Sequence, residues 1–319
     1  MLIREFIEIP TTACHATTLL QLRDGGFLVC WFGGTRESAS DVAIYAARRS
    51  ADGVWQPVVH LAKVNDTAHW NPVLFRFPDG AIHLYFKVGD DIWQTYEMTS
   101  ADEGVTWSAP VEMIPGDVSG GRGPVKNKPI LLSDGCVLAP GSVEIENGPW
   151  RAFVDRYEAG AWHRSELLDF QGNGEKSNWP RCTQGVIQPT LWEAPAGHVQ
   201  MLMRSNVGCV YHAESMDCGR TWTPCVPTEL PNNNSGLDLA QLTDGTLVLL
   251  SNLTFDLGRK ILVKRISKDN GTTWSEYSVI EEVPEGELSY PSIIPLQDNQ
   301  YAFTYTWQRQ KVAFCIGKD

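Results

Sequence analysis

Ser100-Ala-Asp-Glu-Gly-Val-Thr-Trp107, Ser215-Met-Asp-Cys-Gly-Arg-Thr-Trp222 and Ser267-Lys-Asp-Asn-Gly-Thr-Thr-Trp274 are three copies of one pattern, S-x-D-x-G-x-T-W. A pattern that returns at a nearly constant interval marks a repeat architecture, each copy falling on the same turn of the same structural unit. Two eroded copies fill the intervals. One holds Ser50, Asp52, Gly53 and Trp55, and the other runs from Asp155 to Trp162, with Gly160 and Trp162 as its clearest survivors. The five tryptophans then stand 52, 55, 60 and 52 residues apart.

A second repeat runs out of phase with the first. Asp24-Gly25, Asp79-Gly80, Asp134-Gly135, Ala196-Gly197, Asp244-Gly245 and Asp298-Asn299 each precede an alternating apolar run such as Ala81-Ile-His-Leu-Tyr-Phe86. Asp-Gly between such runs signals a β-hairpin, because both residues tolerate the positive φ of a tight turn. Six hairpins and five boxes describe six four-stranded units. The last is short after Trp274, and the N-terminal strand Leu2 to Ile9 can supply its missing edge. The expected fold is all-β, a six-bladed β-propeller closed by both termini, in which only short edges remain unpaired. The uninterrupted period predicts one domain over residues 1–319.

The boxes themselves read as structural. The short carboxylate ties down backbone N–H groups of its own turn, the glycine takes a conformation barred to other residues, and the tryptophan plugs the space between units.

Composition removes several competing functions. A net charge of −12 disfavours nucleic acid or an anionic membrane as partner, and no long apolar stretch predicts a membrane helix. Met1-Leu-Ile-Arg-Glu-Phe6 lacks the basic and apolar regions of a signal peptide, so a cytoplasmic location is the expectation. The eight cysteines are scattered without a C-x-x-C pair, and buried free thiols are expected, with neither metal nor cofactor. Nucleotide-binding and serine-hydrolase motifs are missing. No protein partner is predicted. Asp117, Asp155, Glu158, Glu281, Glu282, Glu285 and Glu287 are read as solvated charge in turns or at unit edges.

In a propeller the innermost strands begin around the central channel. The residues leading into the six predicted inner strands are polar: His15-Ala-Thr, Trp70-Asn71-Pro, Asn127-Lys128-Pro after Lys126, Gln188-Pro, Asn234-Ser235-Gly and Tyr290-Pro. They suggest a hydrophilic ring converging on the axis. The second strands add charge at their far ends, with Arg36 and Glu37 after Trp31-Phe-Gly-Gly, Arg204 after Gln200-Met-Leu-Met, and Arg309 after Tyr305-Thr-Trp307. Arg259 leads into the strand before the last box, and Asp41 does so in the first unit. A guanidinium is a rigid fork of donors that suits a carboxylate, which makes Arg204 with Arg259 a candidate clamp for an acidic ligand.

The box resembles the Asp-box, or BNR, repeat of the sialidase superfamily, and the resemblance covers nearly the whole chain. It implies that the boxes lie between the third and fourth strands of each blade, away from the catalytic face. It also implies a site with three arginines on the substrate carboxylate, an aspartate as acid/base, and a tyrosine assisted by a glutamate as nucleophile. Arg204, Arg259 and Tyr290 match three of these positions, and Asp41 falls near the acid/base aspartate. Two positions depart. His15 stands where the first arginine is expected, and Gln188 stands where the assisting glutamate is expected. A glutamine cannot accept the tyrosine proton. The chain also resembles bacterial-type proteins called neuraminidase-like or BNR-repeat glycosyl hydrolases, through segments such as His69-Trp-Asn-Pro-Val-Leu74, Gly123-Pro-Val-Lys-Asn-Lys-Pro129 and Asn232-Asn-Asn-Ser-Gly236.

Three functions follow as alternatives. The first is an exo-acting glycosidase that removes a terminal acidic sugar, with Asp41 or Glu37 as the acid, Tyr290 as nucleophile or charge stabiliser, and Glu144 as a candidate base. The second is a uronate-specific lyase in which Tyr290 or His15 takes a proton, an unperturbed imidazole titrating near neutral pH. The third is a non-catalytic carbohydrate-binding propeller that uses aromatics near the mouth, Trp31, Trp70, Trp93 and Trp307. The polar insertion Asp169 to Gly185 is open as a lid or a long loop.

Overall fold

The computed structural model describes residues 2–90, 92–145, 150–172, 183–253 and 258–318. Among them there is no helix; 24 strands form six separate four-stranded antiparallel sheets. Blade 1 runs Ala13–Gln21, Phe27–Gly34, Ala43–Arg49 and Val59–Ala62 from the axis outward. Blades 2 to 5 repeat the order, starting at the inner strands His69–Arg76, Ile130–Leu131, Val186–Glu193 and Asp238–Gln241. Blade 6 holds Leu288–Pro295, Gln300–Trp307 and Lys311–Lys318, and the N-terminal strand Ile3–Glu8 supplies its outer edge, with Ile3 opposite Ile316 and Glu8 opposite Lys311. The chain is a six-bladed β-propeller, closed through this last sheet.

Each blade packs both faces against neighbours, so its second strand is buried along most of its length rather than alternating. Phe27–Gly34 is buried at every position. The outer strands alternate or lie exposed, as in Val59–Ala62. The side chains between blades form continuous clusters. One joins Leu28, Phe32 and Ile44 of blade 1 to Leu74, Leu84 and Phe86 of blade 2. Each fully buried side chain of this size contributes about 1.5 to 3 kcal/mol.

The turns do what their residues dictate. In the box of blade 4, Asp217 accepts from the backbone N–H groups of Arg220 and Thr221 and from the Thr221 hydroxyl. Gly219 has a φ of 79°, and the Trp222 indole N–H donates to its carbonyl at 3.1 Å. The stretch from Asp155 to Trp162 is not a box. Asp155 lies inside the strand Trp150–Glu158, and the chain reverses at Ala159-Gly160, where φ is 51° and 84°. Two residues with positive φ close a hairpin tighter than a box turn.

The first strand of each blade ends at its Asp-Gly hairpin or its counterpart, and in blades 1 to 5 the third ends at the box or its replacement. Boxes and hairpins therefore share one end of the propeller. Arg204, at the end of a second strand, and Tyr290, near the start of an inner strand, share the other. The central part of the insertion Asp169 to Gly185 lies outside the described residues; the Asp169 carbonyl accepts from the Cys225 N–H.

Candidate active site

Six residues, one per blade, hold the axial end of the inner strands in a left-handed conformation: Ala16, Asn71, Lys126, Gln188, Asn234 and Tyr290, with φ between 45° and 65°. The ladder between first and second strands slips there in blades 1, 2, 4 and 6, so each such residue is a bulge that re-aims the chain. Non-glycine residues in this region cost energy that packing must offset, and they gather where side chains are held for a purpose. All six are buried. The sequence pattern located this ring in four blades. In blade 1 the left-handed residue is Ala16 beside His15, and in blade 3 it is Lys126 rather than Asn127 or Lys128.

Tyr290, Arg204, Gln188, Asn234, Arg259 and His15 meet at one place. Arg204 donates through Nη1 to the Tyr290 hydroxyl at 2.6 Å and to Gln188 Oε1 at 3.1 Å, and through Nε to Asn234 Oδ1 at 2.8 Å. Arg259 lies over the Tyr290 ring, 5.3 Å from its centroid, and donates through Nη2 to the Asn234 carbonyl at 3.3 Å. Asn234 thus positions both guanidinium groups, one with its side chain and one with its backbone. Among the described residues neither arginine has a carboxylate within ion-pair distance, and Arg204 Nη2 and Arg259 Nε and Nη1 make no hydrogen bond. Burial lowers the pKa of Arg259, and its near neighbours Arg204 and Arg309 act in the same direction.

Behind this group stands Glu144. Gln188 Nε2 donates to both of its oxygens, at 3.2 and 3.1 Å, and Ser142 Oγ donates at 2.7 Å. Burial raises the Glu144 pKa against these bonds and the charge of Arg204. Glu144 reaches Tyr290 only through Gln188 and Arg204, so it is not placed to take the hydroxyl proton directly.

His15 is buried, its ring centroid 4.1 Å from that of Tyr290. Burial together with Arg309, Arg259, Arg204 and Lys126 pushes its pKa well below the ordinary value. The expectation of an imidazole titrating near neutral pH is corrected: His15 is neutral there. Its Nδ1 lies 3.5 Å from Ser289 Oγ and 3.7 Å from Glu287 Oε1.

Glu287 is not the solvated charge expected. It accepts from Arg309 Nε at 2.6 Å and from Ser289 Oγ at 2.8 Å. Arg309 turns its other arm to Glu37 Oε2 at 2.5 Å. Although burial opposes it, these two carboxylates raise the Arg309 pKa and hold the guanidinium charged. Glu287 and Ser289 were legible as alternate residues leading to Tyr290, and the signal was missed because Glu287 follows a polar turn. Asp155 and Glu281 are likewise corrected. Asp155 is fully buried under Arg122, and Glu281 binds Arg4, Tyr305 and Trp307.

The remaining candidates are spread. Asp41 is exposed and accepts from the Thr35 hydroxyl at 2.5 Å and the Thr35 N–H at 2.9 Å, the hydroxyl bond being the main cause of its lowered pKa. Arg36 is exposed and bonds the Glu37 carbonyl. Trp70 donates to the Gly89 carbonyl and tilts against Trp93 at 5.7 Å, next to buried Asn71. Two lysines expected to bind substrate are occupied by the protein. Lys126 crosses the axis to the Leu237 and Pro291 carbonyls and Asn127 Oδ1, and burial brings its pKa to about 7. Lys128 pairs with buried Asp238. Trp307 is corrected too: it packs on Phe6 and bonds Glu281 of the outer strand of blade 5, a contact between blades. Lys87, not foreseen, is buried with its Nζ on Thr95 Oγ1 and the Arg122 carbonyl, and burial lowers its pKa to about 7.

The fold is shared with solved sialidases at low identity. A Hadza microbial sialidase, Hz136, superposes with a TM-score of 0.78 at 17% identity, over 97% of this chain and 66% of its own. The chain thus spans about two thirds of that enzyme's length. The NanB sialidase from Streptococcus pneumoniae gives 0.72 at 12% identity, over 98% and 70%. A protein of unknown function from Dyadobacter fermentans gives 0.78 at 14% identity, and covers 99% of this chain and 97% of its own. No curated protein matches the chain in sequence. The family model for the BNR repeat-like domain matches residues 25–302, and on that span the chain belongs to this family, a sialidase-superfamily BNR-repeat protein.

Proposed function

We propose that the protein is a glycosidase that removes a terminal sugar carrying a carboxylate. The observation that carries this reading is the pair Arg204 and Arg259, both set by Asn234, flanking Tyr290 with donors that no carboxylate occupies among the described residues. A buried guanidinium without a counter-charge is costly unless a ligand supplies one. The sialidase-like propeller supports a sugar as that ligand.

Tyr290 in this reading stabilises positive charge at the anomeric carbon. A nucleophilic tyrosine needs a base to take its proton. Its hydroxyl faces Arg204, a donor, and the neighbouring Gln188 is no base. The leaving oxygen receives its proton from Asp41 or Glu37, each of which first takes one from solvent as substrate displaces Thr35 or Arg309 from it, and the carboxylate so freed takes the proton of the water that adds to the anomeric carbon.

Oligosaccharides ending in sialate or uronate, incubated with the protein and read by mass, test the proposal. Release of the acidic sugar with a gain of one water is expected, with no covalent adduct on Tyr290 during turnover. Neutral oligosaccharides cleaved as readily as acidic ones would remove the clamp from the mechanism. A second reading, elimination, draws on neutral His15 stacked against Tyr290, a base placed beside an arginine-neutralised carboxylate. There the proton leaves the carbon next to the carboxylate, a carbon–carbon double bond forms, and the leaving oxygen departs protonated. Ultraviolet absorbance from that double bond, without uptake of water, would replace hydrolysis by elimination.

A further inference from the structure

At the box end of the propeller, between blade 4 and the third strand and box of blade 5, lies a cleft of about 620 Å³ lined by Gln200, His212, Thr228, Arg265 and Trp274, with Glu229 exposed beside them. The corresponding cleft between blades 1 and 2 is half as large, about 310 Å³. Among the described residues four arginines are buried: Arg49, Arg156, Arg204 and Arg265. Arg49 is bonded to Glu5, Arg156 to Asp134, and Arg204 to the active-site groups. Arg265 is 8% exposed and makes no hydrogen bond or ion pair among the described residues; its guanidinium lies over the ring of Tyr277, 5.5 Å from the centroid. It shares with the active-site pair the absence of a protein counter-charge, and desolvation makes that absence costly.

Trp274 supplies an independent observation. In the other two complete boxes the indole N–H closes the turn, Trp107 on the Gly104 carbonyl at 3.2 Å and Trp222 on the Gly219 carbonyl at 3.1 Å. Among the described residues Trp274 makes no such bond, so its N–H is available where its ring lines the cleft. Opposite stand a neutral amide and an imidazole, Gln200 Oε1 and His212 Nε2, 3.2 Å apart. A planar fork, an indole with a spare donor, and an amide–imidazole pair in a space of several hundred cubic ångströms suit one small polar ring with one negative charge.

We propose that this cleft is a second carbohydrate site, which holds a carboxylate-bearing sugar residue with its carboxylate on Arg265 and its ring against Trp274. It lies at the opposite end of the blades from Tyr290, so it holds a different sugar residue from the one in the active site. The proposal does not depend on the reaction assigned there.

The test is a titration of the full-length protein with sodium D-glucuronate, D-glucose and sodium acetate, followed by the ¹H–¹⁵N indole signals. The Trp274 signal is the one lost in Trp274→Phe. Glucuronate is expected to move it, with glucose and acetate binding roughly tenfold more weakly or less, since each lacks one half of the recognised group. Arg265→Gln should weaken glucuronate at this signal by about tenfold or more, and Arg265→Lys, which keeps the charge but not the fork, by less. An unmoved Trp274 signal at tens of millimolar glucuronate overturns the site. Equal affinity for glucose, or no change in Arg265→Gln, overturns the role of the arginine; equal affinity for acetate overturns the sugar. If Arg265→Gln does not fold, the Arg265→Lys comparison decides alone.

Discussion

Replacing Arg204 and Arg259 by lysine, one at a time, separates two roles that look alike in sequence. Arg204 makes three hydrogen bonds from a buried position, to Tyr290, Gln188 and Asn234. Lysine can keep one of them at most, and the two lost bonds from a charged donor, partly replaced by water, come to about 2 to 4 kcal/mol of stability. Among the described residues the Arg259 side chain makes one bond, at 3.3 Å, and the same change there should cost under about 1 kcal/mol. On an acidic substrate each variant loses a charge-assisted contact to the carboxylate, from Nη2 of Arg204 or from Nε and Nη1 of Arg259, worth about 1.5 to 3 kcal/mol, a fall in kcat/KM of roughly 10- to 150-fold. The assay pairs urea unfolding with kcat/KM on an acidic oligosaccharide and on the same compound with its carboxylate reduced. Arg204→Lys should lose stability and activity together, while Arg259→Lys should lose activity almost alone. Both losses should nearly vanish on the reduced substrate, which is already poor for the native protein. If each variant loses as much on the reduced substrate as on the acid, the arginines shape the site without gripping a carboxylate, and the proposed substrate class goes with that result.

Asp217→Ala should lower the melting temperature while leaving turnover per folded molecule intact, since Asp217 serves only its own turn at the far end of the blade; loss of turnover in fully folded protein would contradict that placement. Hydrogen bonds to Asp217 hold its pKa at about 2 against the effect of burial, so this stability is present above the ordinary carboxylate pKa and fades as pH falls toward 2. His69 is buried, accepts from the Val64 N–H at 2.8 Å, and burial lowers its pKa to about 4. Its stabilising contribution is whole above the unfolded value near 6.5 and is lost as pH falls toward 4, so His69→Asn should flatten the pH dependence of unfolding over that window; an unchanged slope would exclude it. Among the described cysteines none is paired, and burial raises Cys14, Cys225 and Cys315 to about 12. A thiol reagent should therefore leave these three and Cys30 unmodified in the native protein while reaching Cys136, Cys209 or Cys218, and reducing agent should not move the melting temperature; rapid labelling of Cys30 would refute the burial.

The repeat was legible because its chemistry is local. A box carboxylate, its glycine and its tryptophan satisfy one another within eight residues, and an Asp-Gly hairpin needs only two, so neither waits on the rest of the chain. The same locality made Asp155 to Trp162 misleading: Gly160 and Trp162 kept the spacing, but the strand runs on through Asp155 and a two-residue hairpin does the work of the box. Only the three-dimensional structure shows why Asp155 is there, fully buried beneath Arg122 from a separate segment.

The site divides along the same line. That polar residues lead into the inner strands could be read directly, and with it Tyr290, Asn234, Gln188 and Asn71. Which residue of His15-Ala16 or of Lys126-Asn127-Lys128 takes the left-handed turn depends on the bulge, and that on the neighbouring blades. Partners across the ring are beyond any local pattern. Arg204 meets Tyr290 across 86 residues of sequence, and Arg309 meets Glu37 across 272. Sequence alone thus determined six blades, their turns, and the residue types offered to the axis. Ring closure decided which charges cancel, leaving Arg204 and Arg259 without a carboxylate among the described residues while Arg309, Lys126 and Lys128 were taken up by the protein, because side chains from six blades compete for the same few acceptors only once the blades stand side by side.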